Sequence, residues 1–422
     1  MIVHTSDLHI GAFTGKPLAN ATISAFEEIA SYVIDKGFKY FVIAGDFFEY
    51  PRLENYGVVR GIVRILRELR ERGVYVVSVP GSHDSSPKGH DWLSVLRDAG
   101  LVHIPGYEDI GRLILYPLEL GDIVFYGLPG LKNNYEIEYL KNRKVLFKDI
   151  EKHRDKHVVL IAHTSVEFAG YNPSDYSQRY GRAPIASSSV LSAIPDTVEY
   201  VALGHIHYPL PPISEGYANI AYPGAPIGRD LSDLMETIEI RKKGLNRRFL
   251  IVEPGEKTRI KSIWSSFGVE VYHYKLEFSD KASFFETIKK SIREHRGTAK
   301  YPVLVFTVYS REVTELSRII SELRSIEKKD NVSIYLRHRR IGSEEEFMIP
   351  IELGSSIEEI ELKAIKNMIE KLGLKLDPDT VKKLLDVLST PKPVSRETTK
   401  REFYAKLFRE VKSILEGAMN EQ

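Results

Sequence analysis

The sequence predicts an α/β protein in which helices are layered on sheet, and three observations carry that prediction. Short apolar runs of strand length alternate with segments whose apolar residues recur at three and four positions, the order that produces βαβ units. Five of the runs stop at ligand-type side chains: Ile2-Val3 leads to Asp7 and His9, 41–44 to Gly45-Asp46, 77–80 to Gly81-Ser82-His83-Asp84, 158–162 to His163, and 201–203 to Gly204-His205-Ile206-His207. Apolar runs of this kind are buried strands, and ligands collect beyond strand ends in such sheets, so five loops converge on one site. At 422 residues the chain also exceeds one ordinary domain.

In chain order, the first strand is followed by a helix over 21–36 with Ile23, Phe26, Ile29, Ala30, Val33 and Ile34 on one face, stopped by Gly37. A second helix over 55–72 turns Ile62, Ile65, Leu66 and Leu69 inward, and a short third holds Trp92, Leu93, Val95 and Leu96. Strands are expected near Leu113, over 123–127 and near Ile220, and one charged helix over 135–152. The runs 236–241 and 247–253 flank Gly244-Leu245-Asn246 and read as a hairpin. The Ser-, Pro-, Tyr- and Gly-rich stretch 164–198 is long for a connection, which marks a functional loop. Beyond it a βαβαβ pattern begins with Tyr272, Tyr274, Leu276 and Phe278 alternating on a strand, and helices over 357–372 and 378–388 lead to the tether-like Ser389-Thr390-Pro391-Lys392-Pro393. The expected domains are 1–255, 256–352 and a helical tail 353–422 with a linker at 389–398.

Lys and Arg number 59 against 58 Asp and Glu, so total charge does not select nucleic acid and only local clusters could. Cysteine is absent, which removes disulfides and thiolate ligands and suits a reducing cytoplasm. With the first strand starting near Met1 no signal peptide is expected, and no apolar run reaches membrane length. A cytoplasmic, chromosome-associated protein of a prokaryote without membrane attachment is expected. Only Gln178 and Gln422 represent glutamine, a balance of charge over thermolabile amide that points to a thermophilic source.

Asp7, His9, Asp46, His163, His205 and His207 offer the carboxylate and imidazole donors suited to divalent metals in phosphoryl chemistry, enough for two ions if Asp46 bridges. His83, followed by Asp84, suits a cationic or proton-donating group held by a neighbouring carboxylate. These residues resemble the calcineurin-like metallophosphoesterases, whose pattern is D-x-H, G-D, G-N-H-D/E, H and G-H-x-H. Ser6-Asp7-Leu8-His9-Ile10-Gly11, Gly45-Asp46-Phe47-Phe48, Gly204-His205-Ile206-His207 and Tyr222-Pro223-Gly224 are similar to the nuclease subunit of the double-strand-break repair nuclease–ATPase complex, the SbcCD type in bacteria.

The resemblance implies a four-layer αββα domain with a small α/β cap and a helical tail, and a manganese-dependent nuclease acting on DNA ends. It assigns Asp7, His9, Asp46 and His207 to one Mn2+ and Asp46, His163 and His205 to the other. It also implies a homodimer and a coiled-coil, SMC-like ATPase partner. Two positions depart from the pattern. Ser82 stands where the family has Asn, so a carbonyl ligand becomes a shorter hydroxyl or a water, and Glu49 stands where characterised nucleases of this group often have His. Glu49 is expected to face solvent, and Ser82 either touches metal or caps its turn.

Other clusters admit two readings each. Arg241, Lys242, Lys243, Arg247 and Arg248, and Arg337, His338, Arg339 and Arg340, fit either a phosphate backbone or solvated surface. Tyr171, Tyr176, Tyr180 and Arg179 fit contact with unpaired bases or packing on the cap. Phe403, Tyr404, Leu407, Phe408, Val411, Ile414 and Leu415 form an apolar stripe that docks on the ATPase or folds back on Ile357, Ile360, Ile365 and Ile369. His4 is assigned to packing, and His90, His103, His153, His157, His273 and His295 to no site. The rival functions are hydrolysis of a small phosphodiester or nucleotide, and a DNA-tethering scaffold of low activity.

Overall fold

The computed structural model describes residues 1–85, 91–177, 180, 184–278, 280–310, 320–340, 377–388 and 406–414. The chain divides into two units, Met1–Ile341 and Gly342–Gln422. In the first, β1 (Ile2–Thr5), α1 (Ala21–Asp35), β2 (Tyr40–Ile43), α2 (Tyr56–Glu71), β3 (Tyr75–Ser78) and α3 (Trp92–Asp98) alternate as expected. There follow β4 (Tyr107–Asp109), β5 (Leu113–Leu115), β6 (Leu118–Leu120), β7 (Ile123–Leu128), α4 (Tyr135–Lys141), β8 (Val145–Phe147), β9 (His157–His163), α5 (Pro173–Tyr176) and β10 (Val198–Gly204). Then come β11 (Glu215–Tyr217), β12 (Ile220–Ala221), α6 (Leu231–Lys242), β13 (Arg247–Glu253) and β14 (Arg259–Ser265). The unit closes with β15 (Val269–Glu277), α7 (Lys281–His295), β16 (Tyr301–Ser310), α8 (Ile320–Asp330) and β17 (Ser333–Arg340).

Two sheets face each other, ordered β11-β14-β13-β1-β2-β3 and β12-β10-β9-β7-β6. The period-2 alternation of each strand divides its side chains between two cores. Ile2, Val42, Ala44, Val77 and Val79 meet Phe125, Val159, Ile161, Tyr200 and Ala202 between the sheets. Val3, Phe41, Ile43 and Val76 point the other way, onto Phe26 and Ile29 of α1 and Ile62, Leu66 and Leu69 of α2. On the far side Val124, Tyr126, Leu160 and Leu203 pack with Ile137 and Leu140 of α4. The result is the four-layer αββα arrangement. Ile62, Ile65, Leu66 and Leu69 of α2 are all buried in this core.

The cap sheet, β15-β16-β17, is parallel throughout. Leu304, Phe306 and Val308 of β16 pack on Phe284 and Ile288 of α7, while Val303 and Val305 join the core beside α1. The first sheet runs on through β14, which pairs with β13 along its whole length, so the division expected at residue 255 falls between two paired strands.

Two expected elements differ. The hairpin's first arm is helical: Asp230 caps α6 by accepting from Ser232 N at 2.9 Å and Asp233 N at 3.1 Å, and Leu234 and Ile240 bury one side of the helix. That N-cap outweighs the strand-like alternation of Ile238 and Ile240. The charged segment 135–152 is not one helix, because Arg143 takes a left-handed φ of 52° and 145–147 turns into β8 against β5. In the second unit α9 (Pro378–Leu388) and residues 406–414 are helical. The expected helix over 357–372 and the linker 389–398 lie outside the described residues.

Candidate metal centre

All five ligand-bearing loops leave the same end of the two sheets. The first two run side by side, with Asp7 N donating to Gly45 O, His9 N to Asp46 O and Ile10 N to Phe47 O, each at 3.0 Å. Asp7 then reaches across to the second sheet, where its carboxylate accepts the His205 N–H at 3.0 and 3.1 Å. Asp46 accepts the His83 N–H at 2.8 Å. Asp7, His9, Asp46 and His205 all hold φ between 42° and 88°, a conformation costly for residues with a Cβ and concentrated at functional sites.

Among the described residues the side chains form three overlapping groups. Asp7, His9 and His207 converge in one and Asp46, His163 and His205 in another, and His9, Asp46 and His83 form the third, which links the first two. His9 Nε2 lies 3.1 Å from His207 Nε2, His163 Nε2 3.2 Å from Asp46 Oδ2, and His205 Nδ1 3.3 Å from His163 Nε2. Donors about 2.1 Å from a common ion at right-angle to tetrahedral geometry stand roughly 3.0–3.4 Å apart, so the group around His207 and the group around His163 fit a cation each. The electrostatics agree. His163 is raised to about 10 although burial works against its charge, because the Asp46 carboxylate beside it outweighs that penalty, and Asp46 itself is held well below the ordinary carboxylate range by His163 despite its burial. The pocket is built to hold positive charge.

Three of the rings are turned by their other nitrogen. His163 Nδ1 donates to Ala44 O at 3.0 Å, His207 Nδ1 faces Asp233 Oδ1 at 2.8 Å and His9 Nδ1 faces Glu49 Oε2 at 2.9 Å. Partners of this kind fix the tautomer and raise the basicity of a metal-binding imidazole.

Residues 1–209 match the family model of calcineurin-like phosphoesterases. The chain carries a calcineurin-like phosphoesterase domain. Among curated relatives, the DNA double-strand break repair protein Mre11 of Aeropyrum pernix is 22% identical over 96% of this chain and 99% of its own length. The Mre11 protein of Methanopyrus kandleri is 26% identical over 60% of this chain and 53% of its own. A component of the nuclease SbcCD of Bacillus subtilis is 23% identical over 86% of this chain and all of its own.

Several sequence expectations change once the phosphoesterase site is in view. Glu49 is not solvent-facing; it is 5% exposed, with Oε2 2.9 Å from His9 Nδ1 and Oε1 3.0 Å from the Arg229 guanidinium. Asp84 does not hold the His83 ring. Its carboxylate accepts from Gly81 N at 2.9 Å, Phe48 N at 2.9 Å and Phe47 N at 3.2 Å, clamping the second and third loops together, and burial with the charge of Asp46 pushes it up to about 7. The His83 ring is held instead by the Glu49 carbonyl, 3.0 Å from its Nδ1. Ser82 Oγ sits 3.4 Å from Asp46 Oδ2.

The basic run breaks up. Arg247 and Arg248 are buried and cannot follow a phosphate backbone. Arg247 binds His207 O at 2.7 Å and Asp233 O at 2.8 Å, while Arg248 binds Tyr222 O at 2.9 Å. Arg241 pairs with Glu270 at 2.5 Å, Lys242 with Glu239 at 2.8 Å, and Lys243 lies over the rings of Tyr176 and Tyr208. On β17, Arg337 is half-buried and Arg339 exposed; the Arg340 and His338 side chains and Arg179 lie outside the described residues. Tyr180 is buried and accepts the His207 N–H at 2.6 Å. His4 is buried between the sheets with Nδ1 2.8 Å from the Tyr200 hydroxyl. Of the apolar stripe in the tail, Leu407, Phe408, Val411 and Ile414 are helical and Phe408 is 69% exposed; Phe403, Tyr404 and Leu415 lie outside the described residues. Asp233 and Arg229 carry no motif, and only their place in the fold reveals them; Glu49 stands at a motif position, but its partners are set by the fold.

Among the described residues no helix is long and apolar enough to cross a membrane.

Proposed function

We propose that the chain is a manganese-dependent DNA nuclease of double-strand-break repair, hydrolysing phosphodiester bonds at DNA ends together with a coiled-coil ATPase. The observation that carries the reading is the pair of three-residue donor groups linked through His9 and Asp46, in a chain that pairs over almost its full length with a break-repair protein. Asp7, His9, Asp46 and His207 would hold one ion, and Asp46, His163 and His205 the other, with Ser82 beside Asp46. Bound there, two divalent ions supply an acidified water and charge compensation for the phosphate. The chain's own residues orient and protonate. His83 donates Nδ1–H to the Glu49 carbonyl, which leaves Nε2 as the nitrogen that meets substrate. Burial lowers His83 from its ordinary value, with His9 and Arg229 adding to that against the pull of Asp46. An arriving phosphate adds the negative charge that draws a proton onto Nε2, so the ring then donates to the developing oxyanion or leaving oxygen.

Arg337, Arg339 and Arg340 on the cap strand, with Lys242 and Lys243 on α6, are the proposed phosphate contacts; Arg241 contributes less, because its charge is spent on Glu270. Leu407, Phe408, Val411 and Ile414, with Phe403, Tyr404 and Leu415, are the proposed ATPase-docking stripe, and a homodimer belongs to the same proposal. The test compares end-labelled duplex DNA with a chromogenic small diester in manganese. Cleavage of DNA and little of the diester supports the reading; the reverse would make this a small-molecule phosphodiesterase, and neither would leave a scaffold.

A further inference from the structure

The segment that enters α6 reaches both imidazoles of one donor group through carboxylates: Glu49 stands between it and His9, and its own Asp233 faces His207. Arg229 places its guanidinium on Glu49 Oε1, Nη2 at 3.0 Å and Nε at 3.3 Å, and the other oxygen of that carboxylate faces His9 Nδ1 at 2.9 Å. The backbone N–H of the same residue donates to Asp233 Oδ2 at 2.8 Å, and Asp233 Oδ1 faces His207 Nδ1 at 2.8 Å. A Cβ on Gly228, whose φ is +90°, would stand 2.2 Å from the Asp233 Cβ, so this chain path requires glycine. The two rings so held come from opposite sheets, and their free nitrogens stand 3.1 Å apart. His163, in the other group, is turned by a backbone carbonyl instead.

Resting on the two-ion reading above, we infer that Arg229 is a positioning residue: through Glu49 on one side and Asp233 on the other, it sets His9 and His207 against each other and builds one of the two ion sites before the ion arrives. A guanidinium holds a carboxylate in a fixed plane. Without it, Glu49 is a buried carboxylate free to rotate away from His9, and the ring loses its orientation and its basicity. The Asp233 contact is made by a backbone N–H and survives substitution, so the side chain acts through Glu49 alone.

Manganese titration of the full chain by calorimetry, with electron paramagnetic resonance to follow the ion pair, separates the possibilities. In Arg229→Met two ions still bind, but one affinity falls about 10–100-fold while the other is unchanged. Arg229→Lys recovers part of the loss. Glu49→Gln weakens the same ion, and the double variant Glu49→Gln/Arg229→Met is no weaker than Glu49→Gln alone. A thermal midpoint in chelator equal to wild type shows that Arg229→Met is folded; should it fall, the isosteric Glu49→Gln carries the same comparison. Two unchanged affinities in Arg229→Met beside a wild type that binds two ions would overturn the inference alone, as would additive losses in the double variant. A wild type that binds fewer than two ions would overturn the two-ion reading beneath it, and the inference with it.

Discussion

Replacing Gly204 by alanine tests whether the two sheets are registered at the metal centre. A Cβ at this position would stand 1.8 Å from the Ala44 carbonyl oxygen and 3.1 Å from His163 Nδ1. An ordinary close carbon–oxygen approach is roughly 3.3 Å, so the backbones of β10 and the second loop must part by about 1.5 Å. No flexible side chain can absorb this, since the obstructing atom is backbone. The same carbonyl accepts the His163 Nδ1–H at 3.0 Å, so the displacement also turns a proposed ligand. Overpacking of a well-filled core costs about 1–3 kcal/mol, and a misplacement near 1 Å costs about 100-fold in rate. Gly204→Ala should therefore unfold at lower denaturant, by about 1–3 kcal/mol, and lose at least about 100-fold in manganese-dependent cleavage of end-labelled DNA. Gly106→Ala is the control, because its Cβ meets nothing closer than 3.6 Å. A Gly204→Ala protein with wild-type turnover and two tightly bound ions would refute the registration argument.

Asp46→Ala should remove both ions, since this carboxylate belongs to two donor groups; a variant that still carried two manganese ions by metal analysis would contradict a bridging role. Ser82→Asn should lower the manganese concentration needed for half-maximal cleavage by supplying a carbonyl where a hydroxyl now sits 3.4 Å from Asp46; an unmoved titration curve would make Ser82 a turn residue only. His4 is held down to about 3, by burial chiefly, against the pull of the Leu203 carbonyl. The unfolded chain therefore binds the extra proton first, and stability falls as pH drops below about 6.5, by about 1.4 kcal/mol per unit toward pH 3. Denaturant midpoints at pH 7 and pH 5, compared with His4→Gln, should show a shallower fall in the variant. Deleting residues from Pro391 onward should abolish co-purification with the coiled-coil ATPase while metal content persists; undiminished binding would place the docking surface elsewhere.

The chemistry and the order of the layers are written locally in the chain. Apolar runs ending in Asp7, His9, Asp46, His83, His163, His205 and His207 announce themselves, because donor type and strand-end position are local properties that a linear reading preserves. The period-2 and period-3.6 patterns likewise carried β1 to β3 and α1 to α3, where burial on one or both faces imposes the pattern directly. Tertiary structure decided what surrounds the donors. Glu49 looked like a loop acid and Asp84 like the partner of His83; packing exchanged those parts, since which carboxylate meets which ring depends on how two loops lie side by side. Arg247 and Arg248 read as surface charge, yet both are buried against carbonyls supplied by segments up to 40 residues away in the chain. Arg229 and Asp233 sit in no motif at all. Their role exists only because a helix capped by Asp230 replaces the expected hairpin arm and brings its first turn against His207. Contacts of that kind are long-range pairings, and no local spacing records them.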